Sequence, residues 1–118
     1  MFMDQTGKSK SFTHLIAGAS RGIGSALLHL SLEKGESAWG LSRSQPDTVP
    51  SGCNWITGNA DSPENFTEDL PEVIDALTFC PGKVVLGPVK RLTSEQMLEA
   101  YKTSVLDAFT LIQTLLPK

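Results

Sequence analysis

Apolar and polar positions follow two rhythms along this chain. Residues 12–17, Phe-Thr-His-Leu-Ile-Ala, form a short and mostly apolar run closed by Gly18. That length and boundary fit a strand buried on both faces, as in a parallel sheet. Ile23, Ala26, Leu27 and Leu30 then recur at i, i+3, i+4 and i+7, which predicts a helix over 23–34 with Gly35 as its stop. Ala38, Trp39 and Leu41 carry a second strand over 37–41, and Pro46, Pro50 and Gly52 mark 42–52 as a loop. Residues 54–57 read as a third strand. Residues 63–70 read as a short helix with Ser62 as N-cap and Pro63 in its first turn. A fourth strand over 74–80 ends at Pro81-Gly82. After a long connection over 82–92 that contains Gly87 and Pro88, Thr93 or Ser94 caps a last helix that stops near Leu116, before Pro117.

Strands alternating with helical segments imply βαβ units and a parallel sheet. Right-handed crossovers then place the strands in the order 3-2-1-4. The expected architecture is α/β: a Rossmann-type three-layer fold, with a parallel sheet of about four strands, flanking helices and an incomplete doubly wound sheet.

Composition narrows the function classes. The 118 residues fit one domain, and a hydrophobic fraction of 40% is enough for a core. The net charge of −3 and the scattering of Lys and Arg leave no basic patch for a nucleic-acid backbone. No run of about 18 apolar residues is available to cross a membrane. The polar start lacks the apolar stretch of a secretory signal. Cys53 and Cys80 do not form a C-x-x-C pair, and His14 and His29 complete no metal spacing with them. Two thiols in a reducing, cytoplasmic setting are the expectation, with no metal.

The chemistry lies in Gly18-Ala19-Ser20-Arg21-Gly22-Ile23-Gly24, which follows a predicted strand and opens a predicted helix. A pyrophosphate must come close to backbone N–H groups at a helix start, and a side chain at the turn would block that approach. Gly18, Ser20, Arg21, Gly22, Ile23 and Gly24 are therefore candidate cofactor contacts. Residues 1–11 read as a flexible tail and 12–118 as one dinucleotide-binding domain. Gly7-Lys8-Ser9 mimics the end of a P-loop, but no strand precedes it and the earlier glycine is missing. In NAD-selective sites a carboxylate about 20 residues past the turn takes the ribose hydroxyls. Here the second strand ends Leu41-Ser42-Arg43, with no carboxylate. Arg43, with Ser42 beside it and Arg21 as a second cation, suits the 2′-phosphate of NADP(H) through charge-assisted hydrogen bonds.

The Gly-x-x-x-Gly-x-Gly spacing resembles the short-chain dehydrogenase/reductase family, and the resemblance extends over about residues 12 to 118. Ala60-Asp61 resembles the family's adenine-contacting acid. Cys80-Pro81-Gly82 stands where the family usually has Asn-Ala-Gly, adding Gly82 to the candidate cofactor residues. The helix over 93–116 resembles the family's long interface helix, and Leu116-Pro117 its usual ending. Two departures follow: Cys80-Pro81 replaces Asn-Ala, and Ser104 stands at the position of the family's catalytic Asn, ahead of Phe109.

The resemblance implies an NADP(H)-binding N-terminal part of an oxidoreductase that moves hydride between carbonyl and alcohol. It also implies a catalytic Ser and a Tyr-x-x-x-Lys pair. The single tyrosine, Tyr101, is followed four residues on by Val105, and Lys102 is adjacent to it. No catalytic residue is therefore assigned, and this chain alone is expected to show no turnover. The other reading is a stand-alone, non-catalytic nucleotide-binding or assembly module. An apolar edge strand with Ile74 and Cys80 at its ends, and a last helix apolar on most sides, predict a homo-oligomer formed through the residue 93–116 helix or that edge.

Overall fold

The computed structural model describes residues 12–82 and 86–116, together with the backbone of 2–3 and 9–10. Most of the stretch expected to be a loose tail, together with part of the 82–92 connection, lies outside the described residues. Within residues 1–11, Phe2–Met3 pair antiparallel with Ser9–Lys10.

Four parallel strands form the sheet: β1 (Thr13–Ala17), β2 (Ser37–Ser42), β3 (Asn54–Thr57) and β4 (Ala76–Phe79). Their spatial order is β3-β2-β1-β4, the expected 3-2-1-4. Ala17 pairs with Leu41 on one side and with Phe79 on the other. Ser42 pairs with Thr57, so every strand ends at the same edge of the sheet.

Both faces are covered, as the apolar runs require. Along β1, Leu15 and Ala17 point into a cluster with Leu41, Ile56, Phe66, Leu70, Leu111 and Leu115. Ile16 points the other way, into a cluster with Ala19, Leu28 and Ala38. This period-two division makes a strand with no polar face read as a continuous apolar run. His14 is also buried, and its Nε2 shares a 2.7 Å hydrogen bond with Thr78 Oγ1 on β4. It is a satisfied structural histidine, whereas His29 is exposed on the first helix.

Helix α1 (Gly22–Glu33) covers one face. Its buried residues are Gly24, Leu28 and Ser31. This corrects the stripe read from the sequence: Ile23 is 82% exposed and Leu30 is 45% exposed. The docked face is offset because Gly24, which has no side chain, lies against the backbone of the preceding turn.

On the other face, residues 63–70 do not form a continuous helix. They make two 3-10 turns, Pro63–Asn65 and Thr67–Asp69. Phe66 between them has φ −131°, which interrupts the helical path while its ring enters the core. Ser62 does not cap this segment; its hydroxyl donates to Asp61 Oδ1 at 2.9 Å. β4 is shorter than the expected 74–80 strand, but residue 75 still extends the pairing through an Asp75 N–H to Thr13 carbonyl bond of 2.9 Å.

The last helical stretch has three parts. Helix α2 (Ser94–Tyr101) opens with a capping box between Thr93 and Gln96. A π-helical turn, Lys102–Leu106, follows, and helix α3 is Asp107–Leu115. Leu111 and Leu115 bury against the sheet, whereas Leu98, Phe109 and Leu116 remain 65%, 58% and 75% exposed. β4 pairs only with β1 among the described residues, so it forms a sheet edge.

Candidate functional site

The candidate residues from four separate segments converge at the C-terminal edge of the sheet. β1 leads into Gly18, β2 ends in Ser42-Arg43, β3 leads to Ala60-Asp61, and β4 leads to Cys80-Pro81-Gly82. Parallel α/β sheets bind ligands at this edge, where connections leave the strands in opposite directions.

The glycine turn is held from both sides. Gly18 N–H donates to the Leu41 carbonyl at 2.8 Å, and Cys80 N–H donates to the Ala17 carbonyl at 2.9 Å. Gly18 has φ +79°, and a Cβ there would lie 2.9 Å from the Pro81 nitrogen. Gly22 has φ +65°, with open space where a side chain would be. A Cβ on Gly24 would meet the Gly18 carbonyl oxygen at 2.0 Å. The three glycines thus have separate uses: a tight passage beside β4, an open left-handed entry to α1, and close docking of α1 on the turn.

The start of α1 has no side-chain cap. Among the described residues, no internal partner is found for the N–H groups of Ser20, Gly22 or Ile23, while Ser25 N–H returns to the Arg21 carbonyl at 3.4 Å. Ser20, Arg21, Gly22 and Ile23 are all exposed. Bare N–H groups at the positive end of a helix, beside a position free of side chain, have the geometry for an anion. The residues present fit a phosphate.

At the end of β2, the Arg43 side chain is exposed and makes no ion pair among the described residues. Ser42 behaves differently. Its hydroxyl donates to the Ser44 carbonyl at 2.6 Å and accepts the Trp55 indole N–H at 3.1 Å. After β3, Asp61 is ion-paired with Lys102 at 3.1 Å. Hydrogen bonds from Lys102, then from Ser62, hold the Asp61 carboxyl below its ordinary range. Lys102 also reaches Asp107 Oδ1 at 3.0 Å, and these carboxylates raise the ammonium's pKa. Lys102 therefore ties the π-helical turn to the loop after β3.

Gly82 is exposed, and a Cβ there would come 4.0 Å from Ser104 Oγ. Ser104 lies inside the π-helical turn, where the Asp107 N–H reaches back to the Lys102 carbonyl. The sequence reading missed two residues in this region. Lys102 gave no local signal, because its partner Asp61 lies 41 positions away. Trp55 had an indirect signal in Gly40, a glycine inside an apolar strand that marks close approach of another group.

Both cysteines are free thiols, and no group of residues suited to a metal is found among the described residues. No described helix is long and apolar enough to cross a membrane.

No protein-family model matches this chain, and no curated protein matches it in sequence. Solved structures do. A short-chain dehydrogenase from Streptomyces avermitilis superposes with a TM-score of 0.81 at 20% identity, over 93% of this chain and 45% of its own. A short-chain dehydrogenase/reductase family oxidoreductase from Burkholderia thailandensis gives 0.80 at 19% identity, over 92% of this chain and 47% of its own. A short-chain dehydrogenase from Leptospira borgpetersenii serovar Hardjo-bovis, solved with bound NAD+, gives 0.74 at 22% identity, over 99% of this chain and 49% of its own. The chain thus spans about half the length of these structures. At such identities the shared property is the fold: this chain is built as the N-terminal, four-stranded piece of the short-chain dehydrogenase/reductase fold.

Proposed function

We propose that this chain is the NADP(H)-binding part of a short-chain dehydrogenase/reductase-like oxidoreductase, and that these 118 residues alone do not catalyse hydride transfer. One observation carries the reading: the uncapped, side-chain-free entry to α1 at Gly22, beside the closely packed Gly18 and Gly24. In this reading the backbone of Gly18, Ser20, Gly22, Ile23 and Gly24 receives the pyrophosphate. Ala60 and Asp61 face the adenine, and Gly82 lies along the dinucleotide. Arg43, aided by Arg21, recognises the 2′-phosphate. The cofactor, when bound in a complete enzyme, supplies or accepts hydride.

The absence of a Tyr-x-x-x-Lys pair from the sequence supports a binding role without turnover. A partial set of cofactor contacts is expected to bind less tightly than a complete one. The same reading places the protein in the cytoplasm and makes it a homo-oligomer. The exposed apolar residues of α2 and α3 and the open edge of β4 support self-association.

Calorimetric titration with NADPH and with NADH tests the proposal. Saturable binding of NADPH, tighter than that of NADH, is the expected result. No saturation by either nucleotide up to millimolar concentration overturns it.

A further inference from the structure

Gly40 occupies the interior of β2, and its missing side chain is replaced by an aromatic ring. A Cβ at Gly40 would lie 2.6 Å from both Cε3 and Cζ3 of Trp55, so the indole can occupy this position only above a glycine. The contact crosses one strand pair, because Gly40 and Trp55 are register partners of β2 and β3. It sets the indole N–H 3.1 Å from Ser42 Oγ, at the end of β2. A hydroxyl has one proton and two lone pairs. Ser42 gives its proton to the Ser44 carbonyl at 2.6 Å and accepts the indole N–H. The two bonds bracket Arg43 and fix the backbone on both sides of it.

We propose that Trp55 is a positioning residue for nucleotide selectivity, acting through Ser42 to hold the 42–44 backbone so that the Arg43 guanidinium is presented to a 2′-phosphate. The inference rests on the NADP(H) reading above and changes one part of it. Ser42 has no proton left for a phosphate oxygen, so it shapes the loop and leaves anion recognition to Arg43. Replacing the indole by a phenyl ring keeps an aromatic side chain on this face of Gly40 while removing the N–H donor together with part of the ring. Replacing Ser42 by Ala removes the acceptor and the link to Ser44.

The experiment compares 2′,5′-ADP with 5′-ADP by calorimetry on the full chain and on Trp55→Phe, Ser42→Ala and the double variant. Wild type is expected to favour 2′,5′-ADP. Each single variant should reduce that preference by about fivefold, the size of one neutral hydrogen bond, with little change for 5′-ADP. The double variant should lose no more than either single variant, because all three break one chain of bonds. General loosening of the site would weaken both nucleotides equally and leave the ratio unchanged. A wild-type preference that survives in Trp55→Phe and Ser42→Ala overturns this inference and leaves the NADP(H) reading standing. Wild type that binds neither nucleotide, or binds both alike, overturns the two together. If Trp55→Phe does not fold, Ser42→Ala alone decides by the same ratio.

Discussion

Gly24 and Gly18 meet backbone to backbone, so closely that a methyl group on Gly24 would lie 2.0 Å from the Gly18 carbonyl oxygen. That contact seats helix α1 on the turn that leaves β1. A Gly24→Ala variant must displace the helix or the turn, and overpacking of this kind costs about 1–3 kcal/mol. Gly22→Ala meets open space and suffers only from its φ of +65°, a cost of about 1–2 kcal/mol. Thermal unfolding should therefore rank wild type above Gly22→Ala and Gly22→Ala above Gly24→Ala. The reverse order for the two variants would mean that backbone conformation outweighs close docking here.

Charge reversal tests the 2′-phosphate role. The Arg43 side chain is exposed, so Arg43→Asp should fold normally. NADPH affinity is expected to fall about tenfold to a hundredfold, the worth of a charge-assisted bond, while NADH changes little. Equal loss for both nucleotides, measured by titration, would remove Arg43 from that role.

The Lys102 pair makes a prediction in pH. The Asp61 carboxyl lies below its ordinary value of 3.8, so its pairing stabilises the folded state fully above that value. The contribution fades as pH falls through the lowered folded-state value. The Lys102 ammonium lies above its ordinary 10.5, so its share is full below that value and is lost at still higher pH. Lys102→Met should therefore lower the Tm near neutral pH, and the gap to wild type should narrow in acid as pH falls through the lowered Asp61 value. A gap that is unchanged in acid would show that Lys102 stabilises through its aliphatic stem.

Leu111 is completely buried between α3 and the sheet, whereas Leu98 on α2 is 65% exposed. Leu111→Ala should cost about 2–5 kcal/mol in denaturant unfolding, through lost burial and the cavity left behind. Leu98→Ala should be nearly neutral in dilute solution. A large loss at Leu98 that grows with protein concentration would indicate a covered position in an assembly.

Self-association can be read directly. Phe109 is 58% exposed and Ile112 is 45% exposed on α3. If this face joins two copies, Phe109→Glu should shift sedimentation toward monomer without lowering the unfolding midpoint at low concentration. A wild-type chain that stays monomeric at micromolar concentration overturns the proposal.

Strand order and the glycine turn were legible in the linear chain because their signals are local. A short apolar run, a glycine turn and a helical rhythm lie within the stretch from Phe12 to Lys34, and crossover handedness supplies the rest. The face by which α1 docks was not legible. Ile23 and Gly24 begin stripes one residue apart, and apolar content favours the Ile23 stripe, whereas contact with Gly18 selects the Gly24 stripe. The divided 63–70 segment depends on where the Phe66 ring finds its pocket, which no local propensity states. The same holds around the candidate site. Candidate residues next to the glycines could be named from spacing, but Lys102 finds Asp61 across 41 positions and Trp55 finds Ser42 across 13. Such partners are chosen by how the layers stack, because a hydrogen bond depends on distance and direction in space while the chain orders its groups only by succession.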